Sequence, residues 1–247
     1  MNPVTQAVVL VGGRGTRLGE VTRTIPKPML PVGGRPFLEY LVHLLLREGF
    51  TRVLFCTSHL SKVVRDHFGD GGRFGIATVY TQEPQPLGTG GALRFAHEHL
   101  DEQFLVLNGD TIFDIPMRRL PELLQRHPTA TAAMALRRVD DVARYGSVRL
   151  KKDFVAAFEE KGRSGPGWIN GGIYCLKREA LALLSAGESS LERDLFPVLA
   201  ANGLLCAQSC DGYFLDIGLP QTLACAQVEL PVRFPLDPNP LAGQTES

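Results

Sequence analysis

Apolar residues recur along this chain at two spacings, and the change from one to the other marks out its elements. Residues 8–11 form a short, largely β-branched apolar run, which reads as a buried strand. Phe37, Leu38, Leu41, Leu44 and Leu45 then fall on a helical period, with Pro36 suited to a first turn and Gly49 to a helix end, so a helix is predicted over 36–48. A strand over 52–56, a helix over 59–68 and a strand over 76–81 follow. This alternation implies parallel strands joined by right-handed crossovers.

A further strand at 104–107, a helix at 116–127 and a strand at 130–136 continue the theme. From Ser147 the character changes: 148–150 and 154–158 read as a hairpin turning at Lys152-Asp153. Strands at 168–174 and 204–210, helices at 179–184 and 191–201, and a helix from near Pro220 complete the count. Residues 231–247 are rich in Pro, Asn and Gly with little periodicity and read as a poorly ordered tail. The fold class expected is α/β, with a Rossmann-like, mostly parallel central sheet flanked by helices and a small antiparallel element.

Composition narrows the function classes. The 247 residues are 44% hydrophobic and 21% charged, as in an ordinary globular domain. Lys plus Arg and Asp plus Glu both number 26, so no basic excess favours nucleic acid or an anionic membrane as a partner. The five cysteines are scattered, mostly inside apolar runs, and read as reduced core thiols. No charged-then-apolar leader precedes Val4, and no apolar run nears the ~18 residues of a membrane span. A cytoplasmic location is therefore expected, and homo-oligomer formation is left open. The six histidines show no metal-ligand spacing.

The candidate chemistry begins where the first strand ends. Gly12-Gly13-Arg14-Gly15-Thr16-Arg17 is a glycine-rich turn whose backbone amides can approach a phosphate closely. It is not a P-loop, because Gly15 is followed by Thr16 and Arg17 rather than Lys and Ser/Thr. It is not a dinucleotide fingerprint either, because Leu18 stands where a third glycine is required. Lys27 lies between Pro26 and Pro28, which restrict the backbone on both sides and suit a rigidly presented ammonium. Asp110 follows the strand at 104–107, at the strand end where open parallel sheets bind ligands, and a carboxylate there fits Mg²⁺. Asp216 interrupts an apolar stretch, where an acid is costly unless paired or metal-bound. Read structurally, these same features are a tight turn, surface cations and solvated loop acids.

The segments GGRGTRL and PKPMLPVGGRPFLEYL, taken together and ungapped, resemble the signature of sugar-1-phosphate nucleotidyltransferases, the pyrophosphorylase family. That resemblance implies a glycosyltransferase-A-like nucleotidyltransferase domain over 1–230, with a nucleotide half at about 1–112, a sugar half at about 113–230, and the tail beyond. It implies nucleotide contacts from Leu10, Gly12, Gly13, Gly15, Thr16 and Arg17, and from the loop carrying Gln82, Gly88 and Thr89. Thr89 otherwise reads as a helix cap. Mg²⁺ would be held by Asp110 and Asp216, and catalysis would rest on those two with Arg17 and Lys27.

On the sugar-phosphate side the resemblance implies Lys27, Gly109, Glu160, Lys161 and Asn170. The family's proline after the Glu-Lys pair is here Gly162, which leaves Lys161 less rigidly held. Trp168 also reads as a half-buried core aromatic. RYGSV, EEKG, INGGIY and YFLDIG are most similar to heptose 1-phosphate or mannose-1-phosphate guanylyltransferases, which implies GTP and a sugar 1-phosphate as partners. The alternatives are a uridylyl- or thymidylyltransferase acting on a hexose 1-phosphate, or a catalytically silent sugar-nucleotide-binding regulator.

Overall fold

In the computed structural model of this chain, residues 3–13, 16–143, 146–159, 162 and 164–236 are described, with the backbone alone for Thr16 and Arg17. Strand β1 (Gln6–Leu10) alternates small and branched apolar side chains, so Ala7 and Val9 join one core and Val8 the other. Two short 3-10 stretches, Thr16–Thr22 and Lys27–Met29, lead to the two-residue strands β2 (Pro31–Val32) and β3 (Arg35–Pro36). Then come α1 (Phe37–Arg47), β4 (Arg52–Thr57), α2 (Ser61–Phe68), β5 (Ala77–Gln82), α3 (Gly88–Phe95) and β6 (Gln103–Asn108). β5, β4, β1 and β6 lie side by side and parallel, as their helical connections require.

The chain continues through β7 (Thr111–Phe113), α4 (Arg119–Arg126), β8 (Ala132–Val139), β9 (Ser147–Lys151), β10 (Phe154–Glu159) and β11 (Gly167–Lys177). After a 3-10 stretch and a π-helical turn (Leu191–Leu195) come α5 (Phe196–Ala201), β12 (Leu205–Cys210), β13 (Phe214–Asp216) and α6 (Pro220–Arg233). The main sheet has nine strands in the order β5-β4-β1-β6-β11-β8-β12-β10-β9. The α/β class and the parallel first half match the expectation. The antiparallel share is wider than one hairpin: β11 runs antiparallel to both β6 and β8, and the hairpin β9–β10 closes back on β12 and β11.

The sheet separates two cores. On one face α1, α2, α4 and α6 pack Leu41, Phe68, Leu123 and Leu230 against Val9, Leu105 and Leu107. On the other, α3, the π turn and α5 pack Leu93, Leu195 and Phe196 against Val8, Phe104 and Val106. Trp168 is half-buried at the edge of this second core, the structural reading made of it from sequence. The helix α6 runs through Pro231 to Arg233, and Phe234 is buried behind it, so ordered chain passes the point where the tail was expected to begin. Hydrophobic burial of that last turn outweighs the local Pro signal.

Candidate active site

Parallel strands end on the same side of a sheet, and here β1 and β6 end side by side, Leu10 opposite Asn108. A cavity of about 380 Å³ opens at these ends. Its walls include Gly12 and Gly13 from the turn after β1, Gly109 and Asp110 from the turn after β6, and Lys27. The turn after β1 is pinned from a neighbouring loop, with Ser58 Oγ donating to the Gly12 carbonyl at 2.9 Å.

Lys27 sits in its 3-10 turn behind Pro26, with Pro28 and Met29 buried beneath it. The fixed proline φ and the buried neighbours direct the side chain inward, where it is 16% exposed. Its Nζ lies 2.7 Å from Asp110 Oδ2, a charge-assisted contact with a carboxylate that is itself 34% exposed.

Asp216 is brought beside Asp110 by the tertiary fold. β13 pairs antiparallel with β7, setting Asp216 opposite Thr111, and the Ile217 amide donates to the Asp110 carbonyl at 3.0 Å. Asp216 Oδ1 accepts from the Gly218 amide at 2.9 Å, while no hydrogen bond among the described residues uses its Oδ2. Asp110 Oδ1 has a long contact, 3.3 Å, from Thr111 Oγ1. Two carboxylates on adjoining strand ends, each with an oxygen to spare, fit Mg²⁺, which is commonly held by one or two protein carboxylates plus substrate phosphate and water. Among the described residues there is no group of three or more His, Cys, Asp and Glu that could hold a metal, and Mg²⁺ does not need one.

In the loop after β5 the inward position is one residue away from the one expected. Thr81 and Glu83 are buried and Gln82 between them is exposed, because side chains alternate along the end of β5. Gln82 lines an adjoining cleft rather than the cavity, and Glu83 takes the inward position. The residue is 6% exposed, and its carboxylate accepts from the Leu87 amide at 3.3 Å and lies so close to Gly12 that a Cβ there would stand 2.9 Å from Oε1. Burial pushes its carboxyl above the ordinary range, with the Leu87 amide offsetting part of the effect. Sequence reasoning missed Glu83; the signal was its place two residues after Thr81 on an alternating strand.

Gly88 and Thr89 line the cavity as expected, but Thr89 is no cap: α3 starts at Gly88, and Thr89 Oγ1 donates to Glu192 Oε2 at 2.9 Å. The glycines of this loop answer to a crossing strap, residues 187–190. A Cβ on Gly88 would stand 2.5 Å from the Ser189 carbonyl oxygen and one on Gly91 2.5 Å from that of Gly187, while the Gly90 and Gly91 amides both donate to Ser189. The strap also brings Glu188 to the cavity wall.

Asn170 does not line the cavity. It lies where β11 bulges, donating to the Tyr174 hydroxyl at 2.9 Å and accepting from the Gly172 amide. Gly15, Glu160, Lys161 and the side chains of Thr16 and Arg17 lie outside the described residues. All five cysteines are unpaired, and four are buried. Cys56 lines the cavity, but burial pushes its thiol up to about 12, which leaves it protonated and unfit as a nucleophile. No helix among the described residues is long and apolar enough to cross a membrane.

A sequence model described as "Nucleotidyl transferase" matches residues 6–231. The D-glycero-alpha-D-manno-heptose 1-phosphate guanylyltransferase of Aneurinibacillus thermoaerophilus is 35% identical over 230 residues, 91% of this chain and 98% of the relative. The mannose-1-phosphate guanylyltransferase of Mycobacterium tuberculosis is 36% identical over 230 residues, covering 91% of this chain and 64% of the relative. Among solved structures, HddC from Yersinia pseudotuberculosis complexed with GMP-PN superposes with a TM-score of 0.78 at 32% identity, over 91% of this chain and 98% of that one.

Proposed function

Given that this chain belongs to the nucleotidyl transferase family, we propose that it transfers GMP from GTP to a heptose or mannose 1-phosphate and releases pyrophosphate. The observation that carries this reading is the Lys27–Asp110 contact, 2.7 Å long, on the wall of a cavity floored by glycine-rich backbone. The relatives named above as guanylyltransferases support GTP as the donor.

The reaction joins two anions. A phosphate oxygen of the sugar 1-phosphate attacks the α-phosphorus of GTP; the new P–O bond forms as the bond to the β-phosphate oxygen breaks, and pyrophosphate leaves with that electron pair. No protein nucleophile is needed, in keeping with the protonated state of Cys56. The barrier falls through positioning and charge neutralisation.

Lys27, the cation on the cavity wall among the described residues, would serve the triphosphate, exchanging Asp110 for a phosphate oxygen as the nucleotide enters. Arg17 and Lys161 are assigned the leaving pyrophosphate and the incoming sugar phosphate, with Glu160 and Asn170 on the sugar side. Asp110 and Asp216 would hold Mg²⁺, which when bound supplies further neutralisation of phosphate charge. The unpaired cysteines and the need for GTP fit a reducing, nucleotide-supplied compartment such as the cytoplasm.

Glu83 would set the base. Guanine offers two adjacent donors, N1–H and the 2-amino group, which a buried carboxylate can accept together; uracil and thymine offer one donor flanked by acceptors. Pyrophosphate release, measured for each NTP against a panel of sugar 1-phosphates, tests the assignment. Turnover is expected with GTP and a manno-configured heptose or mannose 1-phosphate. Turnover confined to UTP or dTTP would overturn the base assignment, and no turnover with any pair would overturn the reading.

A further inference from the structure

One carboxylate outside the cavity joins Thr89 on its wall to Tyr174 on β11. Glu192 belongs to the π-helical turn Leu191–Leu195, a rare conformation that recurs at functional sites, and Ser190 caps that turn by accepting from the Glu192 and Arg193 amides. Its Oε2 accepts from Thr89 Oγ1 at 2.9 Å and from Ser190 Oγ at 2.8 Å, and Thr89 Oγ1 in turn accepts from the Leu191 amide. Its Oε1 accepts from the Tyr174 hydroxyl at 3.4 Å. Tyr174 is fully buried on β11 and receives Asn170 Nδ2 at 2.9 Å.

This set forms a continuous path from Thr89, on the nucleotide cavity, through Glu192 and Tyr174 to Asn170, at the bulge of the sugar-side strand. Each link has the donor it needs. Burial, with Glu192 nearby, holds the Tyr174 hydroxyl well above its ordinary range, so it stays protonated and can donate to Glu192 while accepting from Asn170. Tyr174 is buried and Glu192, Thr89, Ser190 and Asn170 are half-buried, so moving one member leaves the Tyr174 hydroxyl or the Glu192 carboxylate short of a partner.

Resting on the reading above, we propose that Glu192 is a positioning residue that couples the nucleotide and sugar-phosphate sites, so that occupying one tightens the other. It touches neither substrate. It fixes Thr89 and Tyr174 in one mutual arrangement, and a ligand that orders either end lowers the cost of ordering the other.

The test is calorimetric binding of the α,β-methylene analogue of GTP, which is not cleaved, with and without mannose 1-phosphate, both in Mg²⁺ buffer. Pyrophosphate release from GTP is measured on the same preparations. For the unaltered protein the sugar phosphate is expected to tighten the analogue by roughly 5-fold or more. Glu192→Ala should bring this factor close to one, Glu192→Gln should restore part of it, and Tyr174→Phe should lose it while leaving Glu192 in place. Asp194→Ala, which removes the acceptor of the Ser190 amide at the start of the turn without touching the Glu192 carboxylate, should lower the Tm and keep the factor.

Absence of coupling in the unaltered protein, an unchanged factor in Glu192→Ala, or equal loss in Asp194→Ala would each overturn the proposal. If Glu192→Ala does not fold, Tyr174→Phe decides the matter alone. Intact turnover with unchanged coupling counts against Glu192 only, whereas absent turnover in the unaltered protein takes the functional reading down as well.

Discussion

The two halves of the sheet contribute to one cavity by different means. In β5-β4-β1-β6 every strand runs the same way, so the turns after β1 and β6 and the loop after β5 emerge at one edge and supply Gly12, Glu83 and Asp110 directly. In the half containing β11, β8, β12, β10 and β9, β8 and β12 run parallel while the other neighbours run antiparallel, so the connecting turns are shared between both ends of the sheet. That half crosses over to the first by three contacts: the strap 187–190 seated on the glycines of α3 puts Glu188 on the cavity wall, the pairing of β13 with β7 sets Asp216 beside Asp110 though not on that wall, and Glu192 bonds to Thr89. Parallel pairing gathers loops without further help, whereas antiparallel pairing needs dedicated tertiary contacts to do the same.

Substitutions can break or sharpen this contrast. The largest effect is expected for Lys27→Ala, which removes a preorganised cation from the parallel half: turnover should fall by roughly 100-fold or more with the far-ultraviolet circular dichroism unchanged. Near-normal turnover would take Lys27 out of the mechanism.

Next is Glu83→Gln. Losing a charged acceptor in a buried site should reduce the preference for GTP over UTP by about 10- to 100-fold in kcat/KM. The pH dependence follows from the raised carboxyl: as pH falls through that raised value Glu83 is protonated, one acceptor is lost, and GTP affinity drops at a higher pH than an exposed glutamate would give. The glutamine variant should bind GTP without that inflection, which titration calorimetry across pH can read.

Gly88→Ala probes the seam between the halves. The residue has φ +74° and its Cβ would strike the Ser189 carbonyl oxygen, so a loss of about 1 to 3 kcal/mol is expected. It should appear as a Tm lowered by several degrees together with a raised KM for GTP. A Tm shift with no change in KM would mean that the strap serves folding alone.

The smallest effect is expected from Glu39→Gln, remote from the cavity. Burial raises this carboxyl, but the hydrogen bond from His67 and the ion pair with Arg35 more than offset it and hold the group below its ordinary range. The stabilisation is therefore complete above the ordinary carboxylate range and is lost as pH falls through the lowered value. The variant should melt lower by roughly 2 to 4 °C at neutral pH and turn over GTP normally.

Much of this architecture is legible in the order of residues. The apolar run at 8–11, the helical spacing from Phe37 to Leu45 and the hairpin at Lys152-Asp153 predict elements whose bounds differ from the observed ones by a few residues at most. Gly12, Gly13, Lys27, Gly109 and Asp110, which line the cavity, were singled out from sequence because each lies in a short segment whose chemistry is local: a glycine turn, a lysine between prolines, an acid after a strand.

Glu83 is the intermediate case. Alternation along β5 determines that it points opposite to Gln82, but which face meets the cavity depends on the strands beside it. The contacts of Asp216 with Asp110, of Ser189 with the loop glycines, and of Glu192 with Thr89 and Tyr174 join segments far apart in the chain, with no periodicity linking them. Sequence by itself determined the elements, the class of fold and the local anion-binding features, because these follow from spacing and backbone preference within a few residues. That Glu83 rather than Gln82 faces the cavity, why the loop needs its glycines and how the two halves meet were decided by tertiary structure alone, because burial and hydrogen bonding between distant segments exist only once the sheet has formed.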